Sequence, residues 1–247
     1  MPTPTFSVII ACRNPGQKIR DALQSVIIQR EVSFEVVVVD GDSRDGTAAW
    51  MAEQQSPNII ILSEPDHGVY EAMNKGVKLA QGSWLLFLGA DDRLADPSVL
   101  AKVQDAIGKA GEGVFCGEAE YSDGRIWPAP TQPKPSHRNF LHHQATFYHR
   151  SLFQRFRYDE TLHIQADYDL NLRLWLDGVR PKPLPIRIAV CQAGGLSDGG
   201  HWANYREEIV IRHRYFPLLR CVLWDAGSFV RYLRKRMVRK VAKTRPE

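Results

Sequence analysis

No run of about 18 apolar residues occurs in the 247-residue chain, so no helix is expected to span a membrane. The opening stretch Met1-Pro2-Thr3-Pro4-Thr5 has no basic segment ahead of an apolar one, so no secretory signal is expected. The four cysteines (Cys12, Cys116, Cys191, Cys221) stand far apart and form no CxxC pair. That argues against structural zinc and fits free thiols in a reducing cytosol. No GxGxxG follows the first apolar run, and no GxxxxGK followed by Ser or Thr occurs anywhere. NAD-type dehydrogenases and P-loop NTPases lose ground accordingly. There is no internal repeat. Apolar content of 44% and charged content of 24% are ordinary globular values. Such a length supports one substantial domain, alone or with an appendage.

Charge is unevenly spread. Residues 229–247 hold eight Lys/Arg against one acid, so the first 228 residues carry −3 of a whole-chain +4. Val230, Leu233, Met237 and Val241 form an apolar stripe among those cations. A basic amphipathic helix of this kind suits an anionic membrane surface, here through residues 229–243. Nucleic acid is not expected as a partner, because the body of the chain is slightly acidic.

The first 110 residues alternate strand and helix. Residues 6–11, 34–39, 58–62 and 84–88 are short apolar runs that read as buried strands. Between them, Asn14-Pro15 offers a helix cap with proline at the first helical position, a short helix lies around 48–54, and Val69 to Ala80 shows helical spacing. Asp96-Pro97 starts a further helix. This alternation predicts a mostly parallel sheet with helices on its faces. The second half reads differently. Strands at 113–121 and 125–127 flank a Ser122-Asp123-Gly124 turn, and a proline-rich extended segment covers 128–135. A helix spans 167–176, and a strand 186–191. A glycine-rich loop covers 194–200, and helix with breaks near Pro217 and Gly227 runs from about 204.

In open parallel sheets, ligands sit beyond the carboxyl ends of the strands. Acids cluster there: Asp40 and Asp42 after the second strand, Asp91 and Asp92 after the fourth. A nucleotide needs that layout, with one carboxylate for a base or ribose hydroxyl and hard oxygens for a metal-bound diphosphate. Ser43 and Asp45 also read as plain helix caps. Asp167 and Asp169 at a helix start favour the helix dipole, and either could serve as a general base. His142-His143-Gln144 beside apolar residues reads as a pocket lining. His201, after the glycine loop, reads as a surface residue, a lid residue or a metal ligand.

Together these pieces resemble the family-2 inverting glycosyltransferases of GT-A fold, over roughly residues 6–200. The matching stretches are Ser7 to Asn14; Val38 to Thr47; Asp66-His67-Gly68 with Ala72 to Gly76; and Phe87 to Asp92. His143-Gln144, Asp167-Tyr168-Asp169-Leu170 with Arg173-Leu174, and Gly194 to Ser197 extend the match. The closest likeness is to bacterial enzymes of exopolysaccharide, colanic-acid-like or O-antigen assembly. The resemblance implies a GT-A domain over 1–200, with a nucleotide half (1–110) and an acceptor half (111–200). Residues 201–247 would be a basic helical extension.

The resemblance also implies roles. Ala11, Arg13, Asn14, Asp40, Asp42, Asp66 and Asp91 would hold the nucleotide of a nucleotide-sugar donor, a UDP-sugar foremost. Asp92, with help from His201, would hold Mg²⁺ or Mn²⁺. His143 and Gln144 would meet a glycan or lipid-linked acceptor. Asp167 would be the catalytic base, with Asp169 its competitor because Ala166 replaces the usual acid before it. Gly89 stands where the first carboxylate of the Asp-x-Asp motif is usual. A cytoplasmic enzyme, peripheral on the inner face of the membrane, is the implied setting. Two rival readings remain: a sugar nucleotidyltransferase, and a catalytically degenerate transferase fold acting as a membrane-associated assembly partner.

Overall fold

The computed structural model describes residues 4–54, 56–195 and 201–243, with side chains as far as Met237. Strands β1 (Phe6–Cys12), β2 (Phe34–Asp40), β3 (Ile59–Ser63) and β4 (Trp84–Gly89) alternate with helices α1 (Lys18–Ile27), α2 (Thr47–Ala52) and α3 (Val69–Leu79). The strands pair in parallel in the order β3-β2-β1-β4. Each central strand feeds both faces of the sheet. Val8, Ile10, Val36, Val38, Leu86 and Leu88 pack on one side; Ile9, Val37, Val39, Leu85 and Phe87 pack on the other. That is why these runs carry no polar alternation. Register aligns Cys12 with Asp40, and Ala11 with Gly89. The carboxyl ends of β1, β2 and β4 therefore finish on one edge.

The second half extends the same sheet in mixed directions. It comprises β5 (Arg93–Leu94), α4 (Val99–Ile107), β6 (Val114–Tyr121), β7 (Ile126–Trp127), β8 (Thr146–His149), α5 (Ala166–Leu176) and β9 (Lys182–Cys191). A 3-10 turn, His143–Ala145, leads into β8. β8 is antiparallel to both β4 and β6, so it joins the parallel half to the rest. β9 runs parallel to β6, and β5 pairs antiparallel with β9. The sheet is thus parallel where the nucleotide half was expected and mixed beyond it. Two-residue β5 has too few positions for a periodic signal.

Two helices close the chain, α6 (Trp202–Tyr215) and α7 (Leu218–Lys243). Three expectations change here. Asn14-Pro15 does not cap α1, whose N-cap is Gln17; Asn14 instead ties the loops after β1 and β2 together. Gly227 does not break the last helix, which runs through it. Nor does residue 200 divide a body from an extension. Ile211 of α6 is fully buried in the second core cluster, with Tyr215 and Phe216 packed against it. The glycine-rich loop is described only to Gly195, and its Ser197 lies outside the described residues.

Candidate active site

The strand ends open into a cleft of about 1650 Å³. One wall comes from the loops after β1, β3 and β4 and carries Ala11, Arg13, Asn14, Asp66, Asp91 and Asp92. Backbone-to-side-chain bonds zip the loop after β1 to the loop after β2. The Asn14 N–H donates to Ser43 Oγ at 2.7 Å, and the Arg44 N–H donates to Asn14 Oδ1 at 2.8 Å. The Gly16 N–H donates to Asp45 Oδ2 at 2.7 Å.

Asp40 is the buried post of this zip rather than a cleft residue. It is fully buried and accepts from the Ser43 hydroxyl, the Ser43 N–H at 3.1 Å and the Ser63 hydroxyl at 2.7 Å. Its oxygens thus bond to Ser43 of its own loop and Ser63 at the end of β3, and Asp40 does not line the cleft where the sequence placed it. Asp42 is likewise not among the cleft residues; it is exposed, with φ of +59°. Asp66 does face the cleft. Gly41 makes room for it, since a Cβ there would stand 2.4 Å from Asp66 Oδ2.

The end of β4 explains the missing carboxylate. A Cβ on Gly89 would stand 2.3 Å from Asp92 Oδ2. Asp92 folds back into the space a side chain at 89 would fill. It is buried, and its Oδ1 accepts the Gln192 N–H at 2.8 Å. The Gln144 side chain also bonds it. Burial pushes Asp92 up to about 6, the Asp91 charge adds to this, and the Gln192 N–H opposes it. Asp91 is exposed, with Lys18 Nζ 3.7 Å away.

The other wall carries His142, His143, Gln144, Asn139 and Asp167. Asp167 sits in the first turn of α5. Its Oδ2 accepts from Asn139 Nδ2 at 2.6 Å, and its Oδ1 lies 3.2 Å from the Tyr70 hydroxyl. That hydroxyl is also 2.7 Å from the Ile164 carbonyl, and its single hydrogen serves only one of the two at a time. Burial pushes Asp167 up to about 6, against the stabilising N–H groups of the helix start and the bonds from Tyr70 and Asn139. Asn139 is itself held by Asn171, and Asn171 by the Tyr148 hydroxyl. The loop before α5 is held by Glu207 of α6, whose carboxylate accepts the N–H groups of His163, Ile164 and Gln165 at 2.8–2.9 Å.

His143 stacks on Phe87 with ring centroids 5.2 Å apart, and its Nε2 is 2.8 Å from the Tyr158 hydroxyl. Burial pushes it down to about 4, so its imidazole is neutral at physiological pH. Gln144 belongs to the Asp92 bond as much as to an acceptor pocket, and so links the two walls. Asp169, the other carboxylate of this helix start, does not line the cleft. It is buried and bound by Arg173 at 2.8 Å, Arg214 at 3.2 Å and the Tyr215 hydroxyl at 2.8 Å. An ion-paired carboxylate facing away from the cleft has no acceptor to deprotonate. His201 is exposed at the head of α6 and is not among the cleft residues. No three His, Cys, Asp or Glu side chains among the described residues are placed to share a metal ion, so His201 does not join Asp91 and Asp92.

The model of glycosyl transferase family 2 matches residues 7–168. The chain belongs to this family. The glycosyltransferase is 37% identical over 189 residues to the PGL/p-HBAD biosynthesis glycosyltransferase of Mycobacterium tuberculosis, covering 70% of each chain. It is 28% identical over 190 residues to the succinoglycan biosynthesis protein ExoO of Rhizobium meliloti, covering 68% of this chain and 54% of ExoO. Among solved structures, S. aureus TarS 1-349 aligns with TM-score 0.67 at 20% identity, over 92% of this chain and 71% of that one. TarS has also been solved with UDP-GlcNAc. The mannosyltransferase PcManGT of Pyrobaculum calidifontis, solved with GDP-Man and Mn²⁺, aligns with TM-score 0.67 at 16% identity, over 99% and 76%. These likenesses bear out the GT-A fold.

The matched span of the glycosyltransferase ends one residue after Asp167. Gln192 and Glu207 therefore lie beyond it, although both shape the site. With Tyr70 and Asn139 they are what motif reading missed. Their partners are 28 to 100 residues away in sequence, and no local pattern marks them.

Proposed function

We propose that this glycosyltransferase moves a sugar, with inversion, from a nucleoside-diphosphate sugar to a hydroxyl of a glycan or lipid-linked acceptor in bacterial cell-surface polysaccharide assembly. UDP-sugars are the favoured donors. The observation that carries this reading is Asp167, half-buried in the same cleft as the β1 and β4 loops, with Tyr70 and Asn139 holding its oxygens. Asp167 takes the proton of the acceptor hydroxyl. The freed oxygen bonds to the anomeric carbon as the bond from that carbon to the diphosphate breaks, and the nucleoside diphosphate leaves. Ala11, Arg13, Asn14 and Asp66 would hold the nucleotide, and His143 and Gln144 would border the acceptor.

Mg²⁺ or Mn²⁺ would be held by Asp92, with Asp91 beside it. Such a cation commonly has one or two carboxylates, substrate phosphates and water as ligands, so two acids suffice. It would supply charge stabilisation for the departing diphosphate. Gly89 does not weaken this reading, because the carboxylate of Asp92 already fills that place. The enzyme would work on the cytoplasmic side, peripheral on the membrane through the basic segment 229–243; no described helix is long and apolar enough to cross a membrane.

The test is a thermal-shift panel of UDP-, GDP-, CMP- and dTDP-sugars with and without Mn²⁺, followed by product analysis. A Mn²⁺-dependent shift with one nucleotide class and release of its nucleoside diphosphate is expected. Release of pyrophosphate would point to a nucleotidyltransferase. No shift with any donor would sink the transferase reading.

A further inference from the structure

The last helix keeps most of its aliphatic side chains away from the body. Its inward face is polar and aromatic: Ser228 and Cys221 are buried, Arg212 of α6 donates to Asp225 at 2.7 Å, Arg231 donates to Glu208 at 2.7 Å, and Trp224 and Tyr232 pack on Phe216 and Trp202. Its outward face is apolar. Leu218, Leu219, Val222, Leu223, Val230 and Met237 are all more than half exposed, with Leu219 at 76%. Their spacing places them within one side of the helix, which is about 39 Å long at 1.5 Å per residue. Single exposed apolar residues are ordinary, but a continuous face of them marks an interaction surface.

Charge says what covers it. Arg220, Arg234 and Arg236 are exposed along the same helix, and residues 229–247 carry a surplus of seven positive charges. An apolar face edged by cations fits the boundary between acyl chains and anionic headgroups. Two copies packed through this face would instead bring their cations together. The face begins eleven residues before the basic tail that the sequence singles out, so the surface is wider than that tail.

We propose that the outward face of α7 from Leu218 to Met237 lies in the surface of an anionic lipid bilayer. The helix also borders the cleft, through Arg231, Arg234 and Lys235. A docked enzyme therefore holds the cation-edged end of its cleft at headgroup level. This deepens the reading of a lipid-linked acceptor and rests on it only for that consequence, because lipid binding is read without any sugar.

The experiment is co-sedimentation of the full chain with phosphatidylcholine vesicles, with or without phosphatidylglycerol. The double variant Leu219→Glu/Leu223→Glu is measured alongside. Both side chains are exposed and on the side away from α6, so the variant should keep the wild-type melting temperature. Binding is expected only with phosphatidylglycerol, weaker at high salt, and reduced about a hundredfold in the variant. Equal binding to both vesicles, no binding, or unchanged binding by the variant would overturn the proposal. So would concentration-dependent dimerisation that the variant abolishes, since that would assign the face to a second copy. Vesicle binding with no sugar transfer would leave this proposal standing and remove the transferase reading.

Discussion

Asp167 carries two opposing demands. As a base it must be ionised, yet burial raises it to about 6. Transfer should therefore rise with pH through about 6 as the carboxylate loses its proton. Asn fits the site geometrically: its Oδ1 can accept from Asn139, and its Nδ2 can donate to Tyr70, whose hydrogen then goes to the Ile164 carbonyl. Asp167→Asn is expected to bind donor as the wild type does and to lose about 10²–10⁴-fold in kcat, with the pH step gone. Wild-type turnover in that variant would remove Asp167 from the base role. Asp92 and Asp167 were both readable as acids at element ends. Gly89 was readable only as a loss, because its meaning depends on where the Asp92 side chain turns.

At the scale of elements, α6 holds the loop that leads into Asp167, the proposed base. Glu207 gathers three N–H groups just ahead of α5 on its one carboxylate. Charged hydrogen bonds of this kind are worth about 1.5–3 kcal/mol each. Glu207→Ala should lower kcat by roughly tenfold or more while the donor KM stays put, because the donor wall lies on β1 and β4. Steady-state kinetics with varied donor would check it, and a change confined to KM would count against the positioning role. Strands β1, β2 and β4 were legible because their apolar runs are buried on both faces, and the edge strand β3 because it is a short apolar run. β8 and β5 were not, being four and two residues long and defined by their antiparallel partners. Asn14-Pro15 looked like a cap because capping chemistry is local; the cross-loop bond to Ser43 that replaces it is not.

For the whole molecule, burying an ionised base is a stability cost that the fold must offset. A carboxyl raised on folding stabilises most below the ordinary range near 4 and loses that contribution as pH rises through about 6. Above pH 6 the wild type should therefore be less stable than Asp167→Asn by roughly 1–3 kcal/mol, and the gap should close on acidification. Paired urea titrations at several pH values would measure it; a gap independent of pH would refute the burial argument. Function and stability then pull in opposite directions at one residue.

The sequence by itself determined the βα alternation, the acids at the strand ends, the family and the basic tail, because each is carried by neighbouring residues or by ordered motifs. Tertiary structure decided which acids face the cleft. Asp169 shares its motif with cleft-lining Asp167, and Asp40 ends a strand as Asp92 follows one, yet both are turned inward, Asp40 to the Ser43 and Ser63 hydroxyls and Asp169 to arginines. It also decided that α6 belongs to the site and that the apolar face of α7 points out. Those outcomes depend on which side chains meet across tens of residues, and no local pattern records that.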